Sequence, residues 1–225
     1  MSIIYRTTMR PTKLELLETW LPSQPWYVSG AERAALVMAG GFRLDDPAGE
    51  VGVEFMAVTD KAGGEPVTYQ VPMTYRAAPL AGADDGLIGT SDHGVLGKRW
   101  IYDATHDPVA IAQTYALVTG RAQPQDRSES DTADRTVGVR AATGAPAEDA
   151  GIGEVRHGSR SSDVDLALPG DGLLRLRFPR APRPDDVPET EDWLGHVSVS
   201  WTDLDGGPQR GLWCALVDGS VDGGE

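Results

Sequence analysis

The spacing of apolar positions near the N-terminus predicts a short amphipathic helix over residues 11–20. Thr12 followed three residues later by Glu15 is the spacing of a capping box at a helix start. Residues three or four apart share one face of an α-helix. The apolar residues on this face are Leu14, Leu17 and Leu21.

A second helix is predicted from residue 108 onward. Asp107 is a typical N-cap, Pro108 is favoured at the first helical position, and Gly120 ends the pattern. The apolar stripe of this helix consists of Ile111, Tyr115 and Val118.

Runs rich in β-branched and aromatic residues predict strands. Residues 51–59 and 67–75 form a hairpin across a glycine-containing turn, and residues 97–102 add a short strand. Proline has no N–H to give to a strand ladder. Pro72 therefore predicts that the second strand of the hairpin lies at a sheet edge or bulges there.

The chain changes character after the second helix. Residues 121–150 lose all periodicity and are rich in Asp, Ser, Gly and Pro, which predicts a flexible linker with little packing. Two further hairpins are predicted beyond it, and we expect the two tryptophans of the second hairpin to anchor this sheet. The paired runs are 164–168 with 173–178 and 197–204 with 211–217.

Composition narrows the function classes. The chain has 225 residues, of which 40% are hydrophobic, and a formal net charge of −14. That charge repels phosphate backbones and anionic lipid surfaces, so we expect neither nucleic acid nor a membrane as partner. Cys214 is the only cysteine, which excludes an intramolecular disulfide, and the first residues lack the apolar run of a signal peptide. We therefore expect a cytoplasmic protein.

Candidate catalytic and metal-binding residues are few. The closest grouping of ligand-type side chains is Asp103, His106 and Asp107. Helix capping explains it better than a metal site does, because an aspartate before a proline is a typical helix start. Cys214 lies within an apolar run, where an inert buried thiol is expected. We predict no catalytic residue, no metal and no cofactor.

Four short motifs share their order and spacing with a known family. They are Trp-Leu-Pro-Ser-Gln-Pro-Trp-Tyr at 20–27, Tyr-Gln-Val-Pro at 69–72, Ile-Gly-Thr at 88–90 and Trp-Ile-Tyr-Asp-Ala-Thr-His-Asp-Pro at 100–108. In these motifs the chain resembles the N-terminal cap domain of bacterial maltokinases. The resemblance implies a cystatin-like cap, in which two helices pack on a curved antiparallel sheet. The motif residues with a structural or interaction role are Trp20, Leu21, Pro22, Gln24, Trp26, Tyr27, Trp100, Tyr102, Asp103 and Asp107.

The part after residue 150 is similar, more loosely, to a kinase N-lobe. Residues 157–162 and 173–180 look like its first hairpin and the strand that follows, so the unit resembles a degenerate N-lobe. The phosphate-contacting lysine of that lobe is absent, and Arg175 or Arg177 would be its only cationic substitute. We expect these arginines to be solvated on the strand face.

The predicted organisation is α+β. A cap-like domain over 1–120 is followed by a flexible linker over 121–150, a small antiparallel β-unit over 151–218 and a polar tail over 219–225. The sequence contains neither the His-x-Asp nor the Asp-Phe-Gly motif that would orient an acceptor hydroxyl and hold magnesium in a kinase lobe.

The leading hypothesis is therefore a non-catalytic cap-like protein that acts by interaction. The resemblance implies a protein partner in maltose-1-phosphate, trehalose or α-glucan metabolism. One alternative is a part of a split or truncated ATP-dependent sugar kinase of the aminoglycoside-phosphotransferase type. Another is a small-ligand binding module with a pocket on the concave face of the sheet.

Trp20, Trp26 and Tyr27 flank a proline-stiffened corner. Aromatic rings on such a corner could stack on a sugar or dock a partner. We expect them instead to pin the first helix to the sheet.

Overall fold

The structure is a computed structural model, and it describes residues 8–28, 30–129, 131–146, 150–168, 173–184 and 193–220. Two α-helices and two six-stranded antiparallel sheets build an α+β fold that is mostly sheet. The helices are α1 (Lys13–Trp20) and α2 (Pro108–Val118). None of the helices in these ranges is long and apolar enough to cross a membrane.

Each sheet is built mainly from hairpins. The strands of the first sheet are β1 (Met9–Arg10), β2 (Leu36–Leu44), β3 (Gly52–Asp60), β4 (Val67–Arg76), β5 (Leu87–His93) and β6 (Gly97–Asp103), in the spatial order β1-β5-β6-β4-β3-β2. The strands of the second sheet are β7 (Val137–Arg140), β8 (Gly151–His157), β9 (Ser161–Ala167), β10 (Leu174–Pro179), β11 (Trp193–Thr202) and β12 (Pro208–Asp218), in the spatial order β7-β11-β12-β10-β9-β8.

The first helix, α1, begins as the sequence predicts. The Thr12 hydroxyl accepts a hydrogen bond from the Glu15 N–H at 3.3 Å, and the Glu15 carboxylate accepts one from the Thr12 N–H at 2.7 Å. The helix packs Leu17 and Leu21 against the face of the first sheet that carries Met56. This packing fixes α1, because a helix of 8 residues is not stable alone in water.

The hairpin of β3 and β4 is confirmed, with one correction. Antiparallel pairing runs without a shift from Gly52↔Tyr75 to Asp60↔Val67. β4 is an internal strand, so the prediction of an edge strand or a bulge at Pro72 is wrong. The proline is tolerated because β6 pairs with β4 over Met73–Arg76, and this pairing begins one residue after it.

The second helix, α2, packs differently from the expectation that both helices lie on the first sheet. It contacts β7 and β8, the two edge strands of the second sheet, as well as β11 and β12. The second sheet therefore curls around α2 as a half-barrel. A helix enclosed in this way is apolar on most sides. Its buried residues are Ala110, Ile111, Thr114, Tyr115, Ala116, Leu117 and Val118.

Single residues of the segment 121–150 contact both sheets. Gln125 forms an antiparallel bridge with Arg43 of β2, and β7 pairs with β11. Ala150 is 4% exposed and belongs to the core. Of the described residues of this segment only Asp134 and Ala150 are buried, so the flexible linker with little packing stays a prediction. The domain boundaries at 120 and 150 stay a prediction.

One apolar core continues from the first sheet into the second. It joins side chains such as Phe42 of β2 to α2 and to the inner face of the second sheet. The predicted hairpins β9–β10 and β11–β12 are confirmed, and Trp201 and Trp213 anchor this sheet by burial, as expected. The predicted turn at 169–172 and residues 221–225 of the predicted tail lie outside the described residues.

Candidate functional site

Three of the sequence motifs meet where the first sheet contacts the end of β10. Trp26 of the first motif, Gln70 of the second and Asp103 of the last all contact Arg180, the residue that follows β10. Together with Ser162 of β9, these residues form what we call the junction cluster. All five are buried, so these motif residues lie between the sheets and not on the surface.

Arg180 is the centre of the junction cluster. Its Nη2 donates to Asp103 Oδ2 at 2.6 Å, and its Nε donates to Ser162 Oγ at 2.6 Å. Its guanidinium carbon lies 4.8 Å from the centre of the Trp26 ring, which is the geometry of a cation–π contact. Burial lowers the pKa of Arg180, but a guanidinium stays protonated in proteins. The cluster therefore holds a buried positive charge that Asp103 balances.

Gln70 binds the main chain of the second sheet. Its N–H donates to the Arg180 carbonyl at 3.0 Å. Its side-chain Nε2 donates to the carbonyls of Pro179 at 2.5 Å and Trp213 at 2.6 Å. Through this one residue, β4 of the first sheet is hydrogen-bonded to the end of β10 and to β12 of the second.

Asp103 is both a cap and an ion-pair partner. Its Oδ1 accepts hydrogen bonds from the Thr105 N–H at 3.0 Å and the Thr105 hydroxyl at 2.7 Å, which begins the 3₁₀ turn Ala104–His106. Burial raises the pKa of Asp103, but the Arg180 cation and the Thr105 hydrogen bonds lower it more, so the pKa lies below its usual value. The carboxylate is ionised, and both oxygens bind protein groups.

Asp107 combines the same two roles at the start of α2. Its Oδ1 accepts from the Val109 N–H at 3.0 Å, which is the N-cap contact that the sequence predicts. Both carboxylate oxygens also pair with the Arg76 guanidinium at 2.6 Å, and this hydrogen bonding raises the pKa of Arg76. Capping accounts for Asp107, as expected, and also for Asp103, where the sequence predicted only the end of a strand. Each of the two carboxylates also binds an arginine.

The proline corner packs against the first sheet. Trp26 is 1% exposed and has ring contacts with Trp20 and Tyr69, each at a centroid distance of 5.8 Å. Tyr27 stacks on Tyr69 at 5.7 Å, and its hydroxyl donates to Asp60 at 2.8 Å. A ring this buried cannot stack on a ligand from solvent, so Trp26 pins the corner to the sheet and to Arg180.

The other residues of the first motif shape the same corner. Leu21 is buried, and Pro22 lies in the 3₁₀ turn that continues from α1. Gln24 Nε2 donates to the Trp20 carbonyl at 3.3 Å. These contacts hold the turn that brings Trp26 under the helix.

The last motif also carries two aromatic residues. Tyr102 is buried, and its hydroxyl accepts a hydrogen bond from the Leu80 N–H at 2.9 Å. Trp100 is half-buried, and the Lys98 ammonium lies 5.0 Å from its ring centre. Both rings therefore bind groups of the first sheet and its loops.

Two histidines face each other beside the junction cluster, and we call them the histidine pair. His106 Nε2 lies 2.9 Å from His157 Nε2, and His157 Nδ1 lies 2.6 Å from Ser162 Oγ. Burial lowers the pKa of His106 and lowers the pKa of His157 to about 4. Both imidazoles are therefore neutral at neutral pH.

The predicted cationic substitutes for a kinase lysine are paired with carboxylates of β9. Arg175 Nε donates to Asp165 at 2.7 Å, and Arg177 Nη2 donates to Asp163 at 2.8 Å. The expectation that these arginines are solvated is wrong for Arg175, whose side chain is 8% exposed, while Arg177 is 30% exposed. Each forms a cross-strand ion pair within the second sheet.

Other candidate chemistry is limited in the parts of the chain that the structure describes. Cys214 is buried, and burial raises the pKa of its thiol, so a thiolate nucleophile is not populated. No group of three or more His, Cys, Asp or Glu side chains in those parts could hold a metal ion. An apolar hollow with a volume of about 170 Å³ lies beside the second sheet, next to Leu168 and Leu194. The alternative of a ligand pocket on the concave face of the cap sheet stays a prediction.

Sequence reasoning missed Arg180, Ser162 and His157 as partners of the motif residues. A signal for Arg180 exists in the strand period. Residues two apart in a strand share a face, and Arg180 has the same parity as the buried Leu176 and Phe178. Ser162 and His157 carry no such signal, because Arg180 and His106, their partners on other elements, lie 18 and 51 residues away.

Residues 20–107 match the family model of the maltokinase N-terminal cap domain. The match ends at Asp107, the N-cap of α2. It therefore covers β2 to β6 and leaves out α2 and the whole second sheet. A comparison with curated proteins finds no match.

Proposed function

From the premise that residues 20–107 belong to the maltokinase N-terminal cap domain family, we propose that this chain is a non-catalytic accessory protein. It acts in the cytoplasm by binding a protein partner, and the family match supports a role in maltose-1-phosphate, trehalose or α-glucan metabolism. A cap domain does not by itself carry the activity of the enzymes in which it occurs.

The observation that carries the proposal is the use of the cap motifs as an internal junction. Arg180 and its neighbours in the second sheet form the hydrogen bonds of Gln70 and Asp103 and the ring contact of Trp26. These groups are buried in the folded chain, so they are not open to a sugar or a nucleotide. The cap motifs therefore join the two sheets into one folded unit, and this unit is what we propose binds the partner.

The arginines of the second sheet support the same proposal. Phosphoryl transfer needs cations that can approach the transferred phosphate. Arg175 and Arg177 are each bound to an aspartate of β9, and Arg180 is bound to Asp103. A nucleotide would have to displace a carboxylate from any of them.

The tip of the β5–β6 hairpin is the surface that we assign to the partner. Val95 and Leu96, next to each other at this tip, are 60% and 42% exposed. Both lie within the matched residues 20–107, and adjacent exposed apolar side chains offer apolar area to a protein partner.

An activity assay tests the non-catalytic part of the proposal. The full chain, incubated with ATP, magnesium and maltose or glucose, should form no sugar phosphate above a buffer blank, while an active maltokinase run in parallel should. Turnover that a single carboxylate substitution abolishes would overturn the proposal.

Affinity capture from the native host followed by mass spectrometry tests the partner. We expect an enzyme of α-glucan metabolism that is retained by the wild type and lost from the double variant Val95→Ser with Leu96→Ser. Leu204→Ser is a matched control, because Leu204 is 44% exposed and lies between β11 and β12 of the second sheet. Capture of enzymes from unrelated metabolism alone would contradict the assignment. A captured partner that makes sugar phosphate only together with this chain would favour the split kinase instead.

A further inference from the structure

The histidine pair brings two ligand-type nitrogens together across the two sheets. His106 lies on the 3₁₀ turn after β6 of the first sheet, and His157 is the last residue of β8 in the second. Their Nε2 atoms are 2.9 Å apart. Two nitrogen lone pairs repel at that distance, so a proton or a metal ion has to lie between them.

A metal ion fits this arrangement after a small adjustment. Zinc–imidazole bonds are about 2.0–2.1 Å long, and a tetrahedral angle places two such nitrogens roughly 3.3 Å apart. The pair therefore has to open by only a few tenths of an ångström. Both histidines are partly exposed, so solvent can supply further ligands.

The surroundings hold both rings in position. Gly86 lies so close to His106 that a Cβ atom at this glycine would be 2.6 Å from the histidine Cγ. His157 Nδ1 is 2.6 Å from Ser162 Oγ, which also accepts a hydrogen bond from Arg180 Nε. A metal-ligating histidine usually has its second ring nitrogen bound in this way, and that contact fixes the ring orientation.

The Ser162 hydroxyl suits the pair with and without a metal ion. Without one, the hydroxyl donates to His157 Nδ1, so His157 carries its proton on Nε2 and donates it to His106 Nε2. With one, the His157 proton resides on Nδ1 and is donated to Ser162 Oγ, which leaves both Nε2 lone pairs for the metal ion. The exchange moves one proton within a neutral ring and needs no change of net charge.

We propose that His106 and His157 form a binding site for a divalent first-row transition metal ion such as Zn²⁺. Imidazole nitrogen is a preferred ligand for zinc, copper and nickel. Among the described residues no third His, Cys, Asp or Glu side chain joins the pair in a ligand group, so solvent completes the coordination and the ion exchanges freely. The bound ion connects the two sheets beside Arg180. The site is independent of the proposed function.

Calorimetric titration of the chelator-treated full chain with Zn²⁺ tests the site. We expect one ion per chain at this site, with an affinity that falls roughly tenfold or more in His106→Gln and in His157→Gln. His93→Gln and His196→Gln are matched controls, because the chain has four histidines and these two lie outside the pair. Both controls should bind Zn²⁺ as the wild type does.

A second measurement needs no variant and therefore holds even if a substitution prevents folding. Long-range proton–nitrogen NMR of the histidine rings should show that Zn²⁺ shifts the Nε2 resonances of two histidines and leaves the other two unchanged. The melting temperature should rise with Zn²⁺ concentration, because the folded chain holds the two nitrogens together and therefore binds the ion more tightly than the unfolded chain does. Unchanged ring resonances, or binding that survives in both pair variants, would overturn the proposal. The pair would then be a hydrogen bond alone.

Discussion

Two arginine–aspartate pairs differ in their surroundings, although the arginines Arg177 and Arg180 lie only three residues apart in the sequence. Arg180 pairs with Asp103 between the sheets, where the two side chains are 0% and 1% exposed. Arg177 pairs with Asp163 within the second sheet, where the two side chains are 30% and 16% exposed. Both pairs join a guanidinium to a carboxylate, and the largest difference between them is burial.

Burial decides what each pair contributes. A partly exposed pair gains little, because water and salt screen its attraction. A buried pair costs much to desolvate, but the loss of one partner leaves an uncompensated charge in the interior. The comparison therefore predicts that substitutions in the junction cluster are severe, while equivalent ones in the outer pair are mild.

The largest loss is expected from Trp26→Ala. Removal of a buried aromatic side chain costs about 3–5 kcal/mol of unfolding free energy, and here it also uncovers Arg180. Thermal and chemical denaturation should show a much lower melting temperature or little accumulated protein. Trp20→Ala is the control at a half-buried ring and should cost clearly less. An unchanged melting curve for Trp26→Ala would mean that the ring serves recognition and not packing.

The two arginines test the comparison directly. Arg180→Met should lower the unfolding free energy by about 3–5 kcal/mol, because Asp103 is left buried and unpaired. Arg177→Met should lower it by no more than about 1 kcal/mol. Urea denaturation of both variants beside the wild type gives the two values. Equal losses would remove burial as the explanation.

A double-mutant cycle sharpens the same point. Arg180→Met combined with Asp103→Asn should be less destabilised than the sum of the single variants, because no lone charge remains. We expect a coupling of about 0.5–3 kcal/mol, which is the range for residues in direct contact. The corresponding cycle for Arg177 and Asp163 should give a coupling near zero. Strict additivity at the junction cluster would contradict the central role of this pair.

The smallest expected effect is the loss of unfolding free energy when the pH falls and Asp103 becomes protonated. The pKa of Asp103 in the folded chain lies below its usual value of 3.8, so the unfolded state binds that proton more readily. The stability that Asp103 contributes is therefore present above about pH 4 and is lost as the pH falls below that value. Asp103→Asn should be less stable at neutral pH, and its unfolding free energy should fall less steeply in acid than that of the wild type.

Asp163→Asn is the matched control for the acid experiment. Its loss of unfolding free energy at neutral pH should be small, because the side chains of Arg177 and Asp163 are 30% and 16% exposed and a partly exposed ion pair is worth little. Acid titrations of the unfolding midpoint for the three proteins decide the point. Parallel curves for wild type and Asp103→Asn would show that the junction carboxylate does not titrate on unfolding.

Local signals predicted the elements of the fold well. The capping box of α1, the N-cap and proline at the start of α2, and the hairpin of β3 and β4 depend on neighbouring residues, and each is found where expected. The resemblance of residues 20–107 was likewise readable, because motif spacing is a property of the sequence.

Long-range packing produced the corrections. The position of α2 against the second sheet could not be read from its apolar stripe, because that stripe says which side is buried and not against what. The contacts of 121–150 were hidden by its polar composition. Its packing depends on single bridges such as Gln125 to Arg43, which carry no periodicity.

The candidate site shows the same division. The sequence identified Asp107 as a cap and Asp103 as the end of the strand before it. It did not identify their arginine partners, since Arg180 is 77 residues from Asp103. The histidine pair spans 51 residues and joins two sheets. No spacing rule links positions that only the folding of both sheets brings together.

By itself, the sequence determined the helices, the hairpins, the cap-family motifs and the inward parity of Leu176, Phe178 and Arg180, because strand period and capping are local. The tertiary structure decided that Arg180 meets Asp103 under Trp26 and that His106 meets His157. The reason is physical. A buried charge is tolerated only where distant residues supply its counter-charge and hydrogen bonds, and only the packed sheets place those residues.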